Sequence, residues 1–153
     1  MMKAVFFDRD GTLIDEPITE TVNSWDKFHI NKGVEELKKL QTVGYTLFII
    51  SNQEAIGEGG LDADFYQATN DKLISSLKDI GVKIEKIYTC PHARSVGCVC
   101  RKPARGLIDL ALKEYQIDLA NSFAVGDRAS DVELGKKVGM KSIYIKSLLH
   151  KLP

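Results

Sequence analysis

Short apolar runs alternate along the chain with stretches whose apolar positions recur every three or four residues. Ala4–Phe7 reads as a buried strand. From Gly33 to Val43, the residues Val34, Leu37, Leu40 and Val43 have helical spacing, with Gly44 as the stop. Tyr45–Ile50 is continuously apolar between Gly44 and Ser51, the pattern of a strand covered on both faces. A glycine-rich loop over Gly57 to Gly60 comes next. Asp62 then offers an N-cap to a long helix with Phe65, Leu73, Leu77 and Ile80 inward, ended by Gly81. Ile84–Thr89 is a third strand. Pro103 opens a helix through Tyr115, with Leu107, Leu110 and Ala111 on one face. Ser122–Val125 and Lys141–Ile145 are short strands separated by a Ser130–Val138 helix, and His150 to Pro153 form a tail.

Strands alternating with helices in this way predict an α/β fold, a three-layer, Rossmann-like, mainly parallel sheet. Repeats, low-complexity segments and a second domain are absent from the pattern, so residues 1–153 read as one domain. Ligands of such sheets collect at the C-terminal ends of strands, where the strand order switches. The notable polar residues obey that rule. Asp8 and Asp10 follow the first strand, with Arg9 between them pointing the other way. Ser51, Asn52 and Gln53 follow the second, and Gly126 and Asp127 the fourth.

Composition narrows the range of partners. Hydrophobic residues make 44% of the chain, and 21 Lys plus Arg balance 21 Asp plus Glu. Zero net charge argues against a general nucleic-acid or membrane-surface binder. No apolar run approaches the roughly 18–20 residues of a membrane span. Ala4–Phe7 is too short for a signal peptide, so a cytoplasmic, monomeric protein acting on a small molecule is expected.

Two clusters could carry chemistry. Asp8, Asp10, Asp127 and Asp131 converge if strands one and four are neighbours, and clustered carboxylates favour a hard cation, Mg²⁺ above others. Taken alone, Asp127 or Asp131 would be read as a helix N-cap. Ser51 and Lys102 supply the hydroxyl and fixed ammonium that a phosphoryl group needs. The second cluster holds every cysteine of the chain: Cys90, His92, Cys98 and Cys100. Three thiolates and one imidazole make a closed tetrahedral site, the pattern of structural Zn²⁺, which shapes the loop 90–100 and places Arg101 and Lys102 beside the phosphate site.

Asp8-x-Asp10-Gly11-Thr12, Ser51, Lys102 and Gly126-Asp127-x-x-x-Asp131 stand in the order found in the haloacid dehalogenase-like superfamily of phosphatases. The resemblance covers Phe6 to about Tyr144. It implies a Mg²⁺-dependent phosphomonoesterase in which Asp8 is the nucleophile that forms an aspartyl-phosphate. Asp10 would be the general acid and then the base, and would also hold Mg²⁺ through its carbonyl with Asp8 and Asp127. Ser51 and Lys102 would bind the phosphoryl group, with Asp131 orienting Lys102 or a metal-bound water. The zinc loop, with DRDGT and SNQ, resembles the capless branch that holds histidinol-phosphate and heptose 1,7-bisphosphate phosphatases.

Within that branch the five-residue spacer between His92 and Cys98, the Asp15-Glu16-Pro17 stretch and GDRASD (Gly126 to Asp131) look more like the histidinol-phosphate side. Heptose-type members tend to have Lys at position 128 and a longer zinc loop. Substrate recognition falls to loops: residues 16–28 with Trp25 and His29, then Asn52, Gln53, Glu54 and Arg101. Glu16 is assigned to the cationic amine of histidinol phosphate. His29 and His150 lack a catalytic context. D-glycero-D-manno-heptose 1,7-bisphosphate is the alternative substrate. A nucleic-acid 3′-phosphatase and a non-catalytic binding module are weaker readings.

Overall fold

The computed structural model describes residues 1–16, 21–146 and 148. Pro17 and the His150–Pro153 tail lie outside the described residues. The elements run β1 (Lys3–Phe7), α1 (Lys38–Thr42), β2 (Tyr45–Asn52), α2 (Glu54–Glu58), α3 (Ala63–Asp79), β3 (Ile84–Cys90), α4 (Gly106–Glu114), β4 (Phe123–Gly126), α5 (Ala129–Val138) and β5 (Lys141–Tyr144). The five strands form one sheet of order β3-β2-β1-β4-β5, and every pairing is parallel. The expected α/β sheet is present.

The apolar runs of β1 and β2 are explained by burial on both faces. Val5, Phe7, Leu47 and Ile49 pack with Leu40, Leu73 and Leu77 from the α1 and α3 side. Ala4, Phe6, Phe48 and Ile50 pack with Leu107, Ala111, Leu134 and Val138 from the α4 and α5 side. After β3 the chain crosses to β4 on the far side of β1, so the order switches beside β1. The ends of β1 and β4 therefore adjoin, with the Asp8 amide donating to the Val125 carbonyl at 2.8 Å.

Arg9 does point away from its two neighbours. Its guanidinium is only 1% exposed, lies 4.6 Å from the Tyr66 ring centroid and donates to Thr69 Oγ1 at 2.9 Å. That anchor on α3 turns the carboxylates of Asp8 and Asp10 to the opposite side, as residue alternation requires.

Several local readings are corrected. The Gly33–Val43 helix is a 3-10 turn, Val34–Leu37, leading into α1. Residues 54–58, expected to lead into an open glycine loop, form α2 with Gly57 inside it. A Cβ on Gly57 would lie 2.4 Å from the Ala93 amide nitrogen, so glycine lets α2 press against the zinc loop. The helix after Pro103 starts at Gly106, because residues 101–104 make a tight turn first. Ile80 (40% exposed) and Leu110 (43%) face solvent, while Tyr66, Thr69 and Ile108 take the inward places. Leu73, Leu77, Leu107 and Ala111 face inward as expected, so the corrections concern the edges of each apolar face.

Candidate active site

The cleft above the C-terminal ends of β1, β2 and β4 is lined by Asp8, Asp10, Glu16, Gln53, Lys102 and Arg128 among others. Counted to its open mouth it is about 560 Å³. Among the described residues no further sheet or separate domain covers it; the excursions between the strands are helices and loops.

Lys102 is its organising cation. Its side chain is almost fully buried, and Nζ donates to Asp8 Oδ1 (2.8 Å), Asp131 Oδ1 (2.8 Å) and the Ile50 carbonyl (2.9 Å). Burial works against the ammonium, but the charges of Asp8 and Asp131 outweigh it and hold Lys102 above its ordinary value. Burial pushes the Asp8 carboxyl up to about 7; Lys102 opposes this, while Asp131 and Asp10 add to it. An acid so placed is incomplete without a further cation.

Asp131 joins two roles that sequence offered as alternatives. Oδ1 holds Lys102, and Oδ2 accepts from the Arg128 amide at 3.2 Å at the start of α5. Asp127, by contrast, is exposed at the end of β4. Carboxylate oxygens of Asp8, Asp127 and Asp131 lie within 4.8 Å of one another. Both Asp131 oxygens are engaged, so Asp8 and Asp127 are the side-chain donors left for a hard dication, and the all-oxygen set fits Mg²⁺. Gly11, at φ +83°, brings the loop after β1 against this site, and a Cβ there would lie 2.2 Å from Asp127 Oδ2.

Ser51 lies at the end of β2 and Gln53 just beyond it, both buried, with Gln53 lining the cleft. Gln53 Nε2 donates to Ser51 Oγ at 2.8 Å and to Asp10 Oδ2. Asn52, expected to touch substrate, lines the cleft and also holds the backbone of Lys102. Its Nδ2 donates to the Lys102 carbonyl (3.1 Å) and its Oδ1 accepts from the Lys102 amide (2.8 Å).

Ion pairs centred on Glu16 and on Glu54 stand at the rim. Arg128 donates to both oxygens of Glu16 at 2.6 Å. Arg101 Nη1 lies 3.0 Å from Glu54 Oε2, and Arg94 joins Glu54 at 2.9 Å. Burial raises the Glu16 carboxyl despite Arg128, with Asp10 and Asp127 adding. Burial also opposes the charge of Glu54, yet its own backbone N–H and the two arginines hold it below the usual range. Glu16 thus has its cation already. Sequence reading had used Arg128 only to compare relatives. It missed Arg94 altogether, although Glu54 and Glu58, like charges four apart, hint at a cation across from them.

Cys90, His92, Cys98 and Cys100 meet as expected, their S and Nδ1 atoms 2.7 to 3.7 Å apart. Burial and the neighbouring sulfurs push Cys100 up to about 12, whereas hydrogen bonds from Cys90 and from backbone N–H groups outweigh burial and bring Cys98 down to about 6. Thiols crowded this closely cannot all ionise without a cation, and the S₃N donor set fits Zn²⁺. The remaining candidates, Trp25 and His29, are exposed and outside the cleft lining. Trp25 packs edge-on to Phe28 and Phe65, and His29 Nε2 is 2.7 Å from the Asp26 carbonyl.

Fold, carboxylate cluster and zinc loop together define a capless haloacid dehalogenase-like phosphatase. The sequence model of the family described as polynucleotide kinase 3 phosphatase matches residues 3–144, and the chain belongs to that family. It is 37% identical, over 91% of its length and 87% of the relative's, to a protein named probable D-glycero-D-manno-heptose-1,7-bisphosphate 7-phosphatase from Thermoplasma acidophilum. It is 34% identical to the histidine biosynthesis bifunctional protein HisB of Legionella pneumophila, over 95% of this chain but only 42% of HisB. The crystal structure of D,D-heptose 1,7-bisphosphate phosphatase from B. bronchiseptica, complexed with magnesium and phosphate, superposes with a TM-score of 0.86 at 28% identity, covering 99% of this chain and 89% of that one.

Proposed function

We propose that this phosphatase acts on a small sugar bisphosphate of the D-glycero-D-manno-heptose 1,7-bisphosphate type. The observation that carries the reading is the near full-length match to a heptose bisphosphatase, against a match to less than half of HisB. The rim supports it too. Arg128 lines the cleft and Arg101 pairs with its lining residue Glu54, so both can turn to a second phosphate, whereas Glu16, assigned to the amine of histidinol phosphate, is already taken by Arg128. Preference therefore passes from histidinol phosphate to the sugar bisphosphate.

Each site residue has a task in this reading. An Asp8 carboxylate oxygen attacks phosphorus, the ester P–O bond breaks, and the Asp10 proton goes to the leaving alkoxide. Water then attacks phosphorus, gives its proton to Asp10, and the Asp8–phosphorus bond breaks to release phosphate. Bound Mg²⁺ would offset the negative charge of Asp8 and of the phosphoryl oxygens. Lys102 and the Ser51 hydroxyl hold the phosphoryl group from the β2 side.

The test compares kcat/KM for the heptose bisphosphate and for histidinol phosphate with the Mg²⁺-loaded protein. At least a tenfold preference for the bisphosphate is expected, and equal or greater turnover of histidinol phosphate overturns the reading. The family's name raises a second substrate, a nucleic-acid 3′-phosphate. Zero net charge speaks against it, and turnover of a DNA 3′-phosphate above that of the sugar would establish it.

A further inference from the structure

Gln53 is buried (6% exposed), is neutral and has no place in the chemistry just described, yet it touches two groups that do. Its carboxamide donates one N–H to Asp10 Oδ2 and the other to Ser51 Oγ at 2.8 Å. With the amide N–H occupying Oδ2 as an acceptor, the other oxygen, Oδ1, is the one left to carry the proton of the general acid. With an N–H filling the acceptor side of Ser51 Oγ, the serine's own proton is free to point elsewhere. The backbone amide of Gln53 donates to the Cys90 carbonyl at 2.8 Å, so its position is fixed from the zinc loop.

We infer that Gln53 is a positioning residue rather than a substrate contact: one rigid amide aims the Asp10 carboxyl at the leaving oxygen and turns the Ser51 hydroxyl toward the phosphoryl group. The inference rests on the reading of Asp10 as the general acid. Three features carry it. The amide is nearly buried although it borders the cleft, both of its N–H groups are spent on site residues, and its backbone is tied to a separate rigid element. Nothing else among the described residues is recorded as a hydrogen-bond partner of the Asp10 carboxylate. Without Gln53 that side chain has no recorded hydrogen bond to fix its direction.

A positioning role for the acid has a signature that a merely structural role lacks. Proton donation matters when the leaving group is an alkoxide and hardly at all when it is an acidic phenol. The value of kcat/KM reports steps up to departure of the leaving group, before water attacks. It should be measured for an alkyl phosphomonoester and for 4-nitrophenyl phosphate, on the Mg²⁺- and Zn²⁺-loaded protein and on Gln53→Met, with Asp10→Asn as reference. Misplacing a general acid costs roughly 10- to 100-fold, and that loss is expected on the alkyl ester in Gln53→Met. The loss on 4-nitrophenyl phosphate should be several-fold at most. Gln53→Leu, which removes the donors without adding a charge beside Asp10, should give the same split and serves if Gln53→Met fails to fold.

Equal losses on both substrates, or no loss, would overturn the inference and leave the phosphatase reading standing. If Asp10→Asn itself shows no dependence on the leaving group, the acid assignment falls, and this inference falls with it.

Discussion

Gly126 and Asp131 are packed so closely that a Cβ on the glycine would lie 2.1 Å from the carboxylate oxygen that starts α5. The other oxygen of that carboxylate holds Lys102. A methyl group at position 126 therefore acts on the ammonium through Asp131. Gly126→Ala should lower kcat/KM at least tenfold and destabilise the fold by about 1–3 kcal/mol, read by steady-state kinetics and urea denaturation. Unchanged kinetics would mean that Asp131 is not needed where it stands.

Asn52 should behave as part of Lys102. Its amide makes two hydrogen bonds to the backbone of that residue, one as donor and one as acceptor. Asn52→Ala should lower kcat by roughly tenfold and stability by about 1–3 kcal/mol. A change confined to KM would restore Asn52 to the substrate-binding set.

Glu16 competes with any anionic group for Arg128. Glu16→Gln removes the charge and frees the guanidinium, which should lower KM for a bisphosphate by roughly three- to tenfold while leaving a simple monophosphate unaffected. If KM for the bisphosphate rises instead, Arg128 depends on Glu16 for its orientation.

Zinc removal tests the loop that carries Lys102. Chelation, or Cys98→Ser, should cost about 3 kcal/mol, a fall of roughly 6–12 °C in Tm for a chain of this size. Proteolysis should then cut within residues 91–101 before it reaches the sheet. Metal analysis showing no zinc in a protein with that loop still protected would sink the structural role.

Asp8, Asp10 and Asp127 were legible in sequence because they lie at the ends of apolar runs, and strand ends in a parallel sheet are where ligands gather. Lys102 follows no apolar run and stood out only by its place in the order of the motifs. The zinc ligands needed only their spacing. What sequence did not give was the use of the amides and the rim charges. Gln53 meets Asp10 across 43 positions, Asn52 meets Lys102 across 50, and Glu16 meets Arg128 across 112. Such pairings depend on the strand order, which periodicity leaves open. The misplaced Ile80 and Leu110 have a different cause: each ends or edges an amphipathic face, where several apolar side chains compete for one inward position.

β1 lies in the middle of the sheet, bonded to β2 on one side and β4 on the other. The residues proposed to do the chemistry come from the ends of all three strands and from the loop beyond β3. Loss of any one of these strands would separate them. Phosphate release is thus a readout of the assembled sheet, and the amides of Val5, Phe6 and Phe7 should exchange with solvent only through the opening that also ends turnover.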